Sequence, residues 1–181
     1  MELLARLRQH RPGDVEETAD LAQILAFVGA HEDPFDRAIA AGHLTGSALV
    51  VASDGSAVLL LHHHKLVRWL QPGGHAEPGE HAGEDVALRE ALEETGIRDL
   101  ALHPHAPRPL DVDVHDIPAR PNEPAHQHLD LRYLVVAPPG ARVAPGPGES
   151  ERLRWFAWDE LGGLGLDSGL IRAFVKARSY F

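Results

Sequence analysis

The chain has no cysteine among its 181 residues and carries fewer basic than acidic side chains, 17 against 27. The lack of cysteine excludes disulfides, thiolate metal ligands and cysteine nucleophiles, and it is typical of the reducing cytoplasm, where we expect this protein. The net charge of −10 argues against binding nucleic acid by charge attraction, so we expect no nucleic-acid partner. A phosphate compound as substrate would therefore need a cation to supply the missing positive charge.

Long apolar stretches are also missing. No window approaches the ~18 apolar residues of a membrane-spanning helix, and arginines interrupt the only apolar stretch near the N-terminus. We therefore expect neither a membrane partner nor a secretory signal. With 44% hydrophobic residues the chain can form a core, and its length favours one domain.

Hydrophobic periodicity predicts helices at both ends of the chain and in its middle. Residues 14–30 repeat apolar side chains at helical spacing, and Asp33-Pro34 begins a second short helical piece toward Ala41. We therefore predict a helical N-terminal extension over residues 1–42, packed on a domain of residues 43–181. Strands are predicted over 47–52, 57–62, 110–114, 129–136 and 153–158, and further helices over 84–95 and 169–177. This order indicates an α/β or α+β sandwich.

The central helix gathers three carboxylates, those of Glu90, Glu93 and Glu94, on one face. Glu90 and Glu94 are one turn apart, about 5–6 Å between side-chain origins, which is close enough to share a divalent cation. Oxygen ligands without cysteine favour Mg²⁺ or Mn²⁺ over Zn²⁺. Arg89 is one turn before Glu93 and can hold that carboxylate while the other two stay free for metal. An apolar stripe is predicted on the helix at Leu88, Ala91, Leu92 and Thr95.

The alternative interpretation of these carboxylates is a solvated helix face, which is the usual role of an acidic cluster. The loop before the helix favours a site, because the glycines at 73 and 74 let a backbone carbonyl or amide approach an ion or a phosphate closely.

The segment from Gly73 to Ile97 resembles the signature of the Nudix hydrolases, G-x5-E-x7-R-E-U-x-E-E-x-G-U, in which U is apolar. The matching residues are Gly74, Glu80, Arg89, Glu90, Ala91, Glu93, Glu94, Gly96 and Ile97. One departure is that eight residues rather than seven separate Glu80 from Arg89, so an extra residue falls in the loop or in the first helical turn. The resemblance implies an α/β (α+β) fold, a Nudix-type α/β/α sandwich around a mixed β-sheet.

The resemblance also implies an activity and a set of metal ligands. Nudix enzymes hydrolyse a nucleoside diphosphate linked to another group, by attack of water on phosphorus with the help of Mg²⁺, for which Mn²⁺ can substitute. Glu90 and Glu94 are then the principal metal ligands, and Gly73 offers its carbonyl oxygen. Glu93 is a further ligand or the partner of the signature arginine, and Glu80 is a more distant or water-mediated ligand. The expected partner is a small nucleotide-type diphosphate.

The general base is sought outside the signature. Glu149 and Glu151 lie in a Gly/Pro-rich loop before the strand of Trp155, and such a loop can close over a site. We favour Glu149 as the base, with a solvated loop carboxylate as the alternative.

Thirteen histidines are a second unusual feature of the composition. His126 and His128 alternate with Asp130, so all three side chains are predicted on one strand face. Together with His75 they are expected to line the substrate pocket or to hold an extra metal, and the alternative is a polar solvated face. Trp69 is a candidate to stack on a base, or a core residue.

Two rival functions remain at this point. The first is a nucleotide-binding module that keeps the fold without turnover, and the second is a histidine-based zinc or nickel binder without phosphate chemistry. The complete Arg-Glu-x-x-Glu-Glu pattern favours the enzyme. The sequence does not choose among ADP-ribose, nucleotide sugars, dinucleoside polyphosphates and nucleoside di- or triphosphates, and the N-terminal helices either cap the sandwich or pair two chains in a homodimer.

Overall fold

The computed structural model describes residues 2–64, 66–121 and 124–181, and its strands form one eight-stranded mixed sheet. The helices are α1 (Glu2–Leu7), α2 (Val15–Ala30), α3 (Gly83–Thr95) and α4 (Ser168–Arg178), with a 3₁₀ turn at Leu161–Gly163. The strands are β1 (Gly42–Val51), β2 (Ala57–His63), β3 (Arg68–Leu70), β4 (Gly73–His75), β5 (Ala101–Leu102), β6 (Asp111–Ile117), β7 (His126–Val136) and β8 (Leu153–Ala157).

Strand β1 lies at the centre of the sheet. It pairs in parallel with β7 from Gly42 to Val51, and this pair makes the sheet mixed. On its other side, β1 pairs antiparallel with β4 near Thr45 and with β2 at Val51. Strand β7 also pairs with β5 and β6, and β2 pairs with β3 and β8, all antiparallel. Strand β1 is therefore shared between β4, which belongs to the signature loop, and the β2 hairpin.

Helices α3 and α4 cover opposite faces of the sheet. Leu44 of β1 belongs to one buried cluster with Val86 of α3, whereas Leu49 belongs to a second cluster with Phe174 of α4. This division follows from the alternation of side chains along a strand. The predicted α/β/α sandwich around a mixed sheet is thus confirmed.

Helix α3 packs closely on the centre of β1. A Cβ atom on Gly46 would lie 2.5 Å from the Gly83 carbonyl oxygen, so the helix backbone approaches the strand directly. The prediction that Leu92 belongs to the apolar stripe is wrong, because its side chain is 45% exposed. Leu92 lies 100° around the helix from the buried Ala91, outside the narrow arc that faces the sheet.

The N-terminal helices pack on the sandwich. Leu7 and Ile24 are fully buried in the same core cluster as β1 and α3. The predicted short helix after Asp33 is wrong, because residues 31–41 form turns in which the carboxylates of Asp33 and Asp36 accept hydrogen bonds from backbone amides two residues on. A division of the chain at residue 42 stays a prediction. Among the described helices, none is both long and apolar enough to cross a membrane.

Candidate active site

Strand β4 and helix α3 bring two of the acidic side chains against a glycine backbone. The Gly73 amide donates a hydrogen bond of 2.8 Å to Oε2 of Glu94. Gly74 faces Glu90 so closely that a Cβ atom there would lie 2.5 Å from Oε1 of that carboxylate. A glycine at this position therefore lets Glu90 lie directly against the strand.

Arg89 binds three of the acidic residues of the signature. Its guanidinium donates hydrogen bonds of 3.0 Å to Glu80, Glu90 and Glu93, and a fourth of 2.6 Å to the carbonyl oxygen of His75. The expectation that Arg89 leaves Glu90 free is thus wrong, because the five N–H donors of a guanidinium fork bind several acceptors at once. Glu93 is exposed and takes the role of an Arg89 partner in this structure.

The extra residue of the signature falls between Glu80 and Arg89, a stretch that includes the end of the loop and the first turns of α3. The helix begins at Gly83, and Glu80 still reaches Arg89, whose hydrogen bonds lower the pKa of the Glu80 carboxyl. A role of Glu80 as a distant metal ligand stays a prediction.

The pKa of Glu94 is shifted in the opposite direction to that of Glu80. Burial, the largest effect, and the charges of Glu90, Glu149 and Glu93 together raise the pKa of Glu94 to about 8, although the hydrogen bond from Gly73 lowers it. Burial raises the pKa of Glu90 as well, although Arg89 opposes this. A half-buried group of carboxylates one turn apart is stabilised by a cation, so the oxygen donors of this site fit a hard divalent ion such as Mg²⁺.

The loop over residues 144–149 lies along the C-terminal end of α3. The Ala144 amide donates to the Thr95 carbonyl at 2.8 Å, and the Gly146 amide donates to the Glu93 carbonyl at 3.0 Å. This places the half-buried Glu149 near enough for its charge to raise the pKa of both Glu90 and Glu94. The structure thus brings Glu149 to the carboxylate group.

The predicted histidines meet on the sheet, and a fourth joins them. Nε2 of His128 lies 3.0 Å from Nε2 of His75 and 3.2 Å from Nε2 of His126. The ring of His43 is 2% exposed and lies about 5 Å from the other three rings. We call these four residues the histidine cluster. Burial, above all, and the neighbouring histidine rings lower the pKa of His128 to about 2.

The histidine cluster and the carboxylates lie on opposite faces of β4. Gly74 faces α3 and Glu90, so the side chain of the next residue, His75, points to the other face. Asp130, which was predicted on the histidine face, accepts hydrogen bonds from the hydroxyls of Thr45 and Ser47 at 2.9 and 2.6 Å.

A cleft of about 650 Å³ opens beside the signature loop. Its lining includes Arg68, Gln71, His115, Arg120 and Arg132. Gln71 comes two residues before Gly73, whose amide binds Glu94, and the ring of His115 lies 5.4 Å from that of His128. The cleft therefore lies near the histidine cluster, whereas the carboxylates of the signature are not among its lining residues.

Trp69 is half-buried beside this region. Its ring packs edge-on against Phe156, with 4.8 Å between centroids, and the guanidinium of Arg152 lies 5.8 Å from its ring centroid. The core-packing interpretation of Trp69 accounts for one side of the ring, and stacking on a substrate base stays a prediction.

Curated relatives match part of the chain. The "Putative 8-oxo-dGTP diphosphatase" of Bacillus subtilis (strain 168) is 41% identical over 112 residues, which cover 62% of this chain and 65% of that protein. The "Probable DHNTP pyrophosphohydrolase" of Lactococcus lactis subsp. cremoris (strain MG1363) is 37% identical over 94 residues, covering 51% and 52%. The chain thus spans about half to two thirds of the length of these curated relatives.

Solved structures and a family model extend the likeness. A NUDIX-family hydrolase from Clostridium perfringens superimposes with a TM-score of 0.62 at 25% identity, over 77% of this chain and 98% of that one. The NUDIX domain of Shewanella oneidensis NrtR complexed with ADP ribose has a TM-score of 0.56 at 18% identity, over 86% and 97%, and shows likeness of fold alone. The model of the NUDIX domain matches residues 43–175, the greater part of the chain, and the protein therefore belongs to the Nudix family.

Proposed function

We propose that this protein is a divalent-metal-dependent hydrolase that cleaves a pyrophosphate linkage in a nucleoside diphosphate linked to another group. The observation that carries the proposal is the position of Glu90 and Glu94 against the backbone of Gly73 and Gly74, with Arg89 fixing one of the two carboxylates. The named bacterial relatives support a diphosphate linkage as the target, since one is called a diphosphatase and the other a pyrophosphohydrolase.

The acidic residues would hold Mg²⁺, or Mn²⁺ in its place. Glu90 and Glu94 would be the main ligands with the Gly73 carbonyl oxygen. Glu93 would be a further ligand or the partner of Arg89, and Glu80 a more distant or water-mediated ligand. When bound, such an ion would neutralise charge on the substrate phosphates, activate the attacking water and stabilise the leaving phosphate. This charge compensation is needed because the protein itself carries −10.

The chain's own residues would orient the reaction and move the proton. Arg89 holds the Glu90 carboxylate in a fixed orientation through its 3.0 Å hydrogen bond. Glu149 would accept the proton of the attacking water, because its loop lies against the end of α3 and its charge acts on Glu90 and Glu94. Burial of the site strengthens each of these interactions.

The substrate would extend from the carboxylates into the cleft. Its volume of about 650 Å³ accommodates a nucleotide-sized molecule. Substrate contacts by His75, His126 and His128 stay a prediction, to which metal binding by the same residues is the alternative. We propose Trp69 as a surface for a base. Turnover assays over ADP-ribose, nucleotide sugars, dinucleoside polyphosphates and nucleoside di- and triphosphates would identify the class.

The proposal predicts that Glu94→Gln loses magnesium-dependent phosphate-anhydride hydrolysis by at least about a hundredfold, because the variant loses one charged metal ligand. The measurement is turnover on the substrate panel with Mg²⁺ and with Mn²⁺. Asp85→Asn, at an exposed position in the first turn of the same helix, is the matched control and should keep wild-type turnover. Near-normal turnover of Glu94→Gln would refute the site.

The same panel tests the alternative of a nucleotide-binding module without turnover. A panel compound that raises the melting temperature but yields no product with either metal would favour that module. A cytoplasmic location and a homodimer stay predictions, and size-exclusion chromatography with light scattering would test the dimer.

A further inference from the structure

The histidine cluster lies apart from the acidic residues that the proposed hydrolase uses. One ring nitrogen each from His43, His75 and His128 lies within 4.8 Å of the other two. Tetrahedral zinc with Zn–N distances of about 2.0–2.1 Å separates its nitrogen ligands by about 3.4 Å. His75 and His128 are already 3.0 Å apart at Nε2, so small ring rotations bring the three nitrogens to a common centre.

The sheet fixes the positions of these three residues. His43 of β1 lies directly opposite His128 in the parallel β1–β7 pair, and His75 of β4 lies opposite Thr45, two residues along β1. Three neighbouring strands therefore hold the ligands on one face before any ion binds. Because the ligands are already in place, binding of an ion costs less conformational entropy.

His126 supplies a fourth nitrogen, and one hydrogen bond defines the tautomer of its ring. Its Nδ1 lies 2.9 Å from the carbonyl oxygen of Pro124, which only accepts, so Nδ1 must carry the proton. In the neutral ring Nε2 then carries a lone pair, and this atom lies 3.2 Å from Nε2 of His128. A histidine with Nδ1–H donated to a backbone carbonyl is the usual orientation of a metal ligand.

We propose that His43, His75 and His128, with His126 beside them, form a binding site for one Zn²⁺ ion. Imidazole nitrogens favour zinc and its neighbours in the first transition series, whereas magnesium favours the oxygens of the acidic site. The two sites share only strand β4, where Arg89 binds the His75 carbonyl and the Gly73 amide binds Glu94. The zinc site does not depend on the proposed hydrolase activity.

The test is the zinc content of the full chain without a histidine tag, after incubation with Zn²⁺ and desalting. We expect about one zinc per chain in the wild type, and visible absorption bands of tetrahedral Co²⁺ when cobalt replaces zinc. His75→Gln and His128→Gln should each weaken binding by at least about tenfold. His81→Gln, at a histidine of the signature loop whose side chain is 64% exposed, and Glu94→Gln should both bind zinc as the wild type does.

The outcomes separate this site from the acidic one. Wild-type protein without bound zinc or a cobalt spectrum would overturn the proposal, whether or not the variants fold. Wild-type affinity in a His128→Gln variant with a normal circular dichroism spectrum would also overturn it. Loss of zinc in Glu94→Gln together with retention in the histidine variants would place the ion among the carboxylates, leaving the proposed hydrolase intact and refuting the histidine site.

Discussion

Glu90 and Glu94 lie one helical turn apart, yet their carboxylates have different hydrogen-bond partners. Arg89 binds Glu90, whereas Glu94 receives the Gly73 amide and has its pKa raised to about 8, chiefly by burial. A full arginine pair on both residues would compensate their charge within the protein. With one carboxylate held by arginine and the other only by an amide, the charge of Glu94 is left uncompensated, so its carboxyl favours the protonated form until a divalent ion displaces the proton.

At the same scale, Glu149→Gln tests the general base. We expect kcat to fall by about 10²–10⁴-fold with little change in KM, because the amide cannot accept the proton of the attacking water. Glu151→Gln, two residues further on at an exposed position, is the matched control. Equal kcat values in the two variants would show that Glu149 is only a neighbouring charge.

The sequence predicts the residues of the acidic group better than those of the histidine cluster. Glu90, Glu93 and Glu94 lie within one helix, so their common face follows from the helical period. His43 was missed because its neighbour His128 lies on β7, and a parallel pairing between distant strands leaves no local pattern. The alternation of His43 with Thr45 and Ser47 was the available signal, but it becomes meaningful only with the register.

At the scale of elements, the end of α3 and the loop over residues 144–149 that packs on it depend on one glycine. Gly96 has a φ of 66°, and a Cβ atom there would lie 1.8 Å from the Ala144 carbonyl oxygen. Residue 96 thus has to be small for the loop of Glu149 to lie along the helix.

Gly96→Ala should therefore destabilise the fold more than its backbone conformation alone requires. A left-handed alanine costs about 1–2 kcal/mol, and displacement of the loop should bring the loss in unfolding free energy to at least about twice that figure. Gly140→Ala is the matched control, since Gly140 has a φ of 72° with no other atom within 4 Å of the added Cβ. Urea denaturation measures both, and equal losses would show that the contact with Ala144 does not matter.

Most helices and strands follow from local patterns, and the exceptions have physical causes. The β1–β2 hairpin and α3 end where Asp-Gly and Gly96 predict them. Strand β4, over Gly73–His75, lies in a segment predicted as loop, because three residues with two glycines form a strand only through pairing with β1. No pattern in the local sequence reveals pairing of this kind with a distant strand.

At the scale of the whole molecule, Glu17 connects the N-terminal helices to the sandwich. This buried carboxylate of α2 accepts hydrogen bonds from His10, from the Gly13 amide and from Lys176 of α4. It also accepts a 3.2 Å hydrogen bond from the Val112 amide of β6. One side chain thus joins elements from both ends of the chain.

This network predicts sensitivity to acid. Burial alone would raise the pKa of Glu17, but the hydrogen bonds from His10, Lys176 and Gly13 outweigh it and hold the pKa well below the ordinary 4.5. The stabilisation is therefore complete above pH 4.5 and is lost as the pH falls below that value.

Glu17→Gln should lose about 3 kcal/mol of unfolding free energy at pH 7, because it removes a buried carboxylate that binds Lys176 and leaves Asp111 as the remaining buried partner of that ammonium. The difference from wild type should shrink as the pH falls from 5 toward 3, because the unfolded wild-type chain takes up a proton on Glu17 there while the folded carboxylate stays ionised. Urea denaturation across this range is the measurement, with Glu16→Gln at the exposed neighbouring position as the control. A difference that is constant with pH would contradict the assignment.

Both proposed ion sites depend on the register of β4, because each uses residues of this short strand. A shift of this three-residue strand by one position would exchange the two faces of the sheet for its residues. Gly74 would then face the histidine cluster, and the ring of His75 would point toward α3. An insertion or deletion inside Gly73–His75 would therefore damage both sites at once. The additional residue that distinguishes this chain from the common family spacing lies downstream, between Glu80 and Arg89, where a change of length leaves the strand in place.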